Sequence, residues 1–321
     1  MAPVDRDDVT FGYRYILGRE PEPGLDYQMA AAAYPDWRAL RHSLLNSYEA
    51  SAHVYGAIFQ NQTRWVKVPT WFGRQVHICL SDVAVSRDIL LTGHWEPDTE
   101  AVLRSLLTPD SVFLDLGANI GWFSLLAGDL MARADGQGRV IAVEANPALL
   151  PYLMASIVES GLAERIAVKP YAVAAATGLV QMDASLAGNV GSLSIASLQQ
   201  PLAQRNVVPA VRLDDILADL NRLDVVKMDI EGAEPLAIRG FTALLKRFRP
   251  AVLMEFNEAA LRDVSRMSVR DFLKELAALG ATDLVIEAAT EREEIKRTIF
   301  AAVGTPIGTR VSMTRFGALE R

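Results

Sequence analysis

Apolar positions change their spacing twice along this chain. Over residues 1–60 they recur at helical intervals. The run FGYRYIL ends at Leu17, where Gly18 and the Pro21–Pro23 cluster stop it. Two further helical stretches follow, Leu25–Ala33 and Asp36–Tyr55, so this part reads as a small helical module. Residues 64–80 alternate in part, which predicts one or two strands with a hairpin turn at Phe72-Gly73. Residues 61–96 are accordingly read as a β-rich linker or hairpin that packs on the larger domain beginning at residue 97.

From residue 97 onward, short β-rich runs alternate with helical ones. The pattern predicts helices over Asp98–Leu107, Trp122–Met131, Pro147–Ser160, Asp214–Leu220, Glu234–Lys246 and Ser268–Leu279. It predicts strands over Val112–Leu116, Val140–Glu144, Arg165–Pro170, Val225–Asp229, Ala251–Phe256, Leu284–Glu287 and Thr298–Val303. Leu179–Asp183 and Val207–Val211 are extra extended pieces. Such alternation implies an α/β domain over 97–321, with a parallel sheet and right-handed crossovers. The Gly- and Ser-rich stretch 188–200 interrupts it. Such an insertion is a lid whose Asn189 and Ser192 reach substrate, or an exposed loop with no role.

Chemistry concentrates where the predicted strands end, which is where open α/β sheets bind ligands. VFLDLGANIGWFSLLAG, residues 112–128, is a strand that turns sharply into a helix. Its glycines let a ligand approach the main chain, and the helix start adds N–H groups and positive potential. Asn119 stands where a dinucleotide fingerprint has its second glycine, and Gly121 comes one residue early. The D-x-G-x-x-x-G pattern is instead similar to that of S-adenosylmethionine-dependent methyltransferases. Glu144 ends the next strand, where a carboxylate can accept hydrogen bonds from two ribose hydroxyls. VVKMDIEGAE, 225–234, ends on Asp229 with Glu231 at the mouth of the next helix. Two adjacent carboxylates are costly to desolvate unless they have partners. They cap that helix or work at a reacting centre. Lys227 shares a strand face with Asp229 and is a natural partner.

Composition narrows the classes. The net charge is −7 at pH 7, with a pI near 5.3. A general nucleic-acid binder, which depends on Lys and Arg to neutralise phosphates, is disfavoured. Cys79 is the single cysteine, so no intrachain disulfide forms. The N-terminal MAPVDRDDVT has no apolar signal core, and no long apolar run suggests a membrane span. A cytoplasmic protein is the expectation.

The chain resembles the FkbM-type methyltransferases. The matching strings are HWEPDTEAVLRSLL, FLDLGANIGWFSL, VIAVEANP, VRLDDIL, VVKMDIEGAE and PAVLMEFN, across roughly residues 90–260. The resemblance implies a class I methyltransferase fold: a Rossmann-like, seven-stranded sheet, mostly parallel with an antiparallel final strand. It implies S-adenosylmethionine as cofactor and O-methylation of a hydroxyl on a carbohydrate or a glycosylated or natural-product acceptor. Asp115, Gly117, Ala118, Asn119 and Gly121 would then hold the cofactor, and Glu144 its ribose. Ala145, Asn146, Ala172 and Asp229 would complete that site, with Glu96 at the cofactor's amino end or on substrate. The segment from Asp229 to Glu234 would form the active-site edge.

An alcohol needs a base or a metal to react. Asp229 or Glu231 is the first choice of base, and His94 the second. Glu255 is a further acidic candidate, in the base or in substrate binding. Asp229, Glu255 and Asn257 also look like a Mg²⁺ oxygen set, the less favoured arrangement because Mg²⁺ demands near-ideal geometry. The helical N-terminal module would present substrate or mediate self-association. Rival readings are an N- or carboxyl-methyltransferase on a small metabolite, a non-catalytic cofactor-binding scaffold, and a nicotinamide-dependent dehydrogenase.

Overall fold

The computed structural model describes residues 3–17, 19–45, 47, 64–82, 84–184, 193–196, 206–279 and 283–287. Helices come first. α1 (Arg6–Gly12) runs into a π-helical turn (Tyr13–Leu17), followed by α2 (Tyr27–Ala32) and α3 (Trp37–Leu45). Asp5 and Asp8 form a capping box at the start of α1, and Asp26 caps α2. Val4, Val9, Leu17, Leu40 and Leu44 make a small core of their own here.

β1 (Trp65–Pro69) and β2 (Gln75–Cys79) form the antiparallel hairpin, turning through Phe72 and Gly73. The segment 61–96 is not purely β-rich, because α4 (Val85–Thr92) lies within it. Asp82 accepts hydrogen bonds from the N–H groups of Ala84 and Ser86 at its start, and Gly93 ends it at φ 78°. α5 (Pro97–Leu106) leads into the main sheet.

That sheet contains β3 (Val112–Leu116), β4 (Arg139–Val143), β5 (Ile166–Lys169), β10 (Val225–Met228), β11 (Ala251–Glu255) and β12 (Asp283–Glu287). All five pairings are parallel, in the order β12-β11-β10-β3-β4-β5. Chain order therefore reverses between β3 and β10, the place where doubly wound sheets open a ligand crevice. The described sheet has six strands, and the expected strand Thr298–Val303 lies outside the described residues. β3 and β10 are buried along their whole length, as strands covered on both faces must be. Leu114, Leu116, Val226 and Met228 enter one core with Phe241, Phe256 and Phe272. Phe113 and Val225 enter the other with Ile120, Trp122 and Leu125.

α6 (Trp122–Arg133) and α7 (Leu150–Glu159) are the first crossovers. Between β5 and β10 the chain inserts a second sheet: β6 (Ala172–Val173), β7 (Gly178–Ala184), β8 (Leu193–Ala196) and β9 (Asn206–Val211), ordered β6-β9-β7-β8. Asn189 and Ser192, the lid candidates, lie outside the described residues.

The single helix expected over Glu234–Lys246 is two, α9 (Glu234–Arg239) and α10 (Thr242–Phe248). The break has a tertiary cause. A Cβ on Gly240 would lie 2.1 Å from the Ala174 carbonyl oxygen, so the chain passes there as bare backbone. Asp214, at the start of α8 (Leu213–Ile216), accepts from the N–H groups of Ala243 and Leu244 and caps α10 from a distance. α11 (Glu258–Val264) and α12 (Val269–Leu279) complete the set, and Asn257 caps α11. Asp214→Ala should cost about 1 kcal/mol, the usual worth of a cap, read from urea unfolding, with Asp214→Asn recovering most of it. Equal losses in both variants would contradict the capping role.

Candidate active site

The turn after β3 is shaped by main-chain proximity. Gly117, Asn119 and Gly121 have φ of 81°, 53° and 93°. A Cβ on Gly117 would sit 1.9 Å from the Asp229 carbonyl oxygen, so only glycine lets this turn lie against the end of β10. The N–H groups of Gly117 and Ala118 both donate to the Val143 carbonyl at 3.0 Å, tying the turn to β4. Glu144 completes the tie. One carboxylate oxygen accepts from the Asn119 N–H and the other from the Asn146 N–H, each at 2.7 Å. A carboxylate has about four acceptor sites, so each oxygen keeps capacity for a further donor. Burial pushes the Glu144 carboxyl up to about 7 against these hydrogen bonds.

Asp115 sits deeper than the rest of the turn. It is fully buried beneath the turn, and none of the turn's N–H groups donates to it. Ser124, one turn into α6, donates to it at 2.6 Å. Burial raises its carboxyl despite the nearby Lys227 ammonium.

Lys227 is the centre of the acidic side. Its Nζ lies 3.0 Å from Asp229 Oδ2 and 4.7 Å from the centre of the Phe123 ring. Burial alone would weaken this ammonium; Asp229, Glu96 and Asp115 outweigh that and hold it above the ordinary lysine range. Burial works against the Asp229 charge too, yet Lys227 keeps this carboxyl below its ordinary value. Glu255 stands level with Asp229 on the next strand, one step beyond the Met228–Met254 pair. Burial first, then the Asp229 charge, push the Glu255 carboxyl well above its ordinary value, and its hydrogen bond with Asp229 helps hold the Asp229 carboxyl down. Glu234, the last acid of the motif, is structural. It accepts from the N–H groups of Ile230 and Gly232, and burial raises it to about 7.

These elements surround one cleft with about 650 Å³ of empty space at the carboxyl ends of β3, β4 and β10. Of the residues singled out from sequence, Gly117, Asn119, Glu144, Ala145, Ala172, Asp229 and Glu231 line it. Ala118, Gly121 and Asn146 stand behind the lining, and Asn146 bonds the Ala148 N–H. His94 and Glu96 lie outside the lining, although Glu96 acts electrostatically on Lys227 and Glu255. Tyr171, Val173, Met182, Ile230 and Ala233 also face the cleft. Ile230 and Ala233 fall within the Asp229–Glu234 edge expected from sequence, whereas Tyr171, Val173 and Met182 were missed because the inserted sheet and the turn before it carry no motif. Three of the six non-glycine residues with positive φ among the described residues are Glu96, Asn119 and Glu231. Strained backbone gathers at this site, as it does where geometry is over-determined for function.

A family model described as the FkbM methyltransferase domain matches residues 115–281, just over half of the sequence. The chain belongs to the FkbM methyltransferase family. The matched span begins at Asp115 and includes the glycine turn, Glu144 and the Lys227–Glu234 segment. Comparison with curated proteins gives no match. Among solved structures, the chain is similar to the precorrin-6y C5,15-methyltransferase from Geobacter metallireducens. Identity is 18%, over 56% of this chain and 69% of that one, with a TM-score of 0.33. It is also similar to a fibrillarin/Nop5p complex, at 14% identity over 56% of this chain and 66% of that one, TM-score 0.31. A third likeness is to P. horikoshii TYW2 in complex with MeSAdo, at 16% identity and TM-score 0.25. That match covers 40% of this chain and about half, 48%, of the other.

Of the oxygens considered for Mg²⁺, the Asn257 side-chain oxygen caps α11 through the Ala260 N–H and Asp229 pairs with Lys227. Among the described residues no three His, Cys, Asp or Glu side chains gather to hold a metal ion. No described helix is long and apolar enough to cross a membrane.

The raised carboxyls set a pH dependence of stability. Folded Glu234 keeps its proton up to about pH 7, whereas the unfolded chain releases it near 4.5. The folded state therefore binds more protons in that window, and stability falls as pH rises through it, by up to roughly 3 kcal/mol per group. Glu144 acts with the same sign. Glu234→Gln should flatten the decline of the urea midpoint between pH 5 and 7.5, and an unchanged slope would contradict this. Gly117→Ala should destabilise by about 2 kcal/mol or more, through the clash with Asp229 and the positive φ.

Proposed function

We propose that this protein is an S-adenosylmethionine-dependent O-methyltransferase acting on a hydroxyl of a carbohydrate or of a glycosylated or natural-product acceptor. The observation that carries the reading is the make-up of the cleft. A glycine cradle and the two-oxygen acceptor Glu144 stand on one side, and an acidic cluster around Asp229 on the other. The fit to that cofactor is chemical. The Gly117 main chain lines the cleft, and Glu144 has acceptor capacity for paired ribose hydroxyls. Asp229 and Glu231 line the cleft with carboxylates suited to a sulfonium cation. When bound, the cofactor supplies an activated methyl group.

The protein's part is to place the acceptor hydroxyl and manage its proton. Lys227 holds Asp229 ionised, so Asp229 accepts a hydrogen bond from the acceptor hydroxyl and orients its oxygen. Glu255, its carboxyl pushed well up by burial and the Asp229 charge, resists adding another negative charge to the cluster. Glu231, at the cleft mouth with positive φ, is the second carboxylate within reach of an acceptor. Met182 and Val173 from the inserted sheet make an apolar wall that limits water.

Calorimetric titration with S-adenosylhomocysteine tests the cofactor half. Micromolar binding is expected, falling at least tenfold in Glu144→Ala and unaffected by added Mg²⁺. Affinity should also weaken as pH drops below 7, where Glu144 takes up a proton and loses an acceptor. No binding would sink the reading and leave a scaffold. Methyl transfer to a panel of methyl hexopyranosides tests the acceptor half. Asp229→Asn should lower kcat by about 10²-fold or more. A carboxylate acceptor, already ionised, would show little loss in that variant.

A further inference from the structure

A glycine turn that opens into a helix is ordinarily a receptor for anions, because its N–H groups and the helix start point at the ligand. In this chain the protein itself takes up that capacity. The Gly117 and Ala118 N–H groups donate to the Val143 carbonyl, and the Asn119 N–H donates to Glu144. At the end of β10, the Asp229 N–H donates to the Leu116 carbonyl, and those of Ile230 and Gly232 donate to Glu234. The start of α6 faces a carboxylate as well: Asp115, fully buried, accepts from Ser124 at 2.6 Å.

The side chains repeat the pattern. The charged residues that line the cleft are Glu144, Asp229 and Glu231, and among the described residues no lysine, arginine or histidine lines it. Lys227 is not part of the lining. Its side chain is 5% exposed and its Nζ is held between Asp229 Oδ2, at 3.0 Å, and the Phe123 ring. An anion entering the cleft would be desolvated against carboxylates, with no cation beside it to balance its charge. The other residues of the lining with polar side chains are Asn119 and Tyr171, both neutral, and such groups serve a hydroxyl as donor or acceptor. The acids of the lining already balance the positive charge of a sulfonium cofactor, which leaves a surrounding suited to an uncharged acceptor.

We propose that the acceptor is a neutral glycoside, uncharged around the reacting hydroxyl, and that the carboxylate lining excludes sugars carrying a phosphate or carboxylate on the same ring. The proposal rests on the methyltransferase reading and narrows its acceptor. Selection here works through repulsion of the wrong acceptor as much as attraction of the right one. It also gives the protein a place in a reaction sequence. Nucleotide sugars and sugar 1-phosphates carry their anion on the anomeric oxygen, and glycosyl transfer removes it. A glycosyl transfer therefore supplies this substrate, and methylation follows.

Calorimetry with two analogues of S-adenosylmethionine tests the lining without any acceptor. Each carries one extra group on the transferable methyl carbon, a carboxylate in one and a carboxamide of similar size in the other. Both therefore probe the space in front of the sulfur and differ in charge. The carboxamide should bind the wild-type protein at least about tenfold more tightly, the effect of a like-charge contact. That ratio should fall at least about threefold in Glu231→Gln, which removes one charge of the lining and leaves the Lys227–Asp229 pair and the Glu144 hydrogen bonds in place. Equal affinities in the wild-type protein, or a ratio unchanged in Glu231→Gln, overturn the proposal. In turnover, kcat/KM for methyl glucopyranoside should exceed that for methyl glucopyranosiduronate and for glucose 1-phosphate by about 10-fold or more. A preference for either anion also overturns it. Failure of the wild-type protein to bind S-adenosylhomocysteine would instead remove the underlying reading, a result distinct from these outcomes.

Discussion

The arrangement of this site depends on one buried ammonium. Lys227 sits in the middle of a parallel strand, where an unpaired charge would be prohibitive. Its neighbours are Asp229 in contact and Asp115 and Glu96 by field, with a phenyl face below. That single positive charge lets carboxyl groups gather at the end of β10 without all ionising. The Asp229 carboxyl is held below its ordinary range beside it, and that of Glu255 is pushed well above. Removing the ammonium would leave an acid cluster with no reason to hold its present protonation pattern.

The second constraint is steric. The β3 turn and the end of β10 meet at main-chain distance, so the cofactor side and the acidic side of the cleft share one wall. Glu144 then carries the contact on to β4 by bonding an N–H from each loop. Carboxylates thus serve in three ways within one site. Glu144 and Glu234 hold loops, Asp229 faces the cleft with its carboxyl favoured in the charged form by Lys227, and Glu255 lies beside it with its carboxyl pushed well up. Glu100, farther out, holds three aromatic or imidazole rings at once.

Much of this was legible in the order of residues. The period-2 and helical patterns located β3, β4, β10 and β11 to within a residue or two, because strands buried on both faces are short unbroken apolar runs. The glycine turn and the K-x-D-x-E-G-x-E segment marked the strand ends that form the cleft. Long-range causes were hidden. Gly240 is the one local mark between α9 and α10; the reason the chain breaks there, the carbonyl of Ala174 and the carboxylate of Asp214, lies elsewhere in the chain. The motif did not show that Asp115 lies under the turn and accepts from Ser124. Nor did it show that the Asn257 side chain accepts from the Ala260 N–H at the start of α11. In each case residue type was informative and orientation was not, since orientation follows from packing. The cap signatures at Asp82 and Asn257 were visible in sequence, and they announce α4 and α11 once helix starts are sought there.

The central claim is that the cleft between the glycine turn, Glu144 and Asp229 is a nucleoside-binding methyl-transfer site. A crystal structure of the protein with saturating S-adenosylhomocysteine tests it most directly. The account predicts density in this cleft, with both ribose hydroxyls on the Glu144 carboxylate and the sulfur directed toward Asp229. An empty cleft, or the ligand bound elsewhere on the molecule, would contradict it.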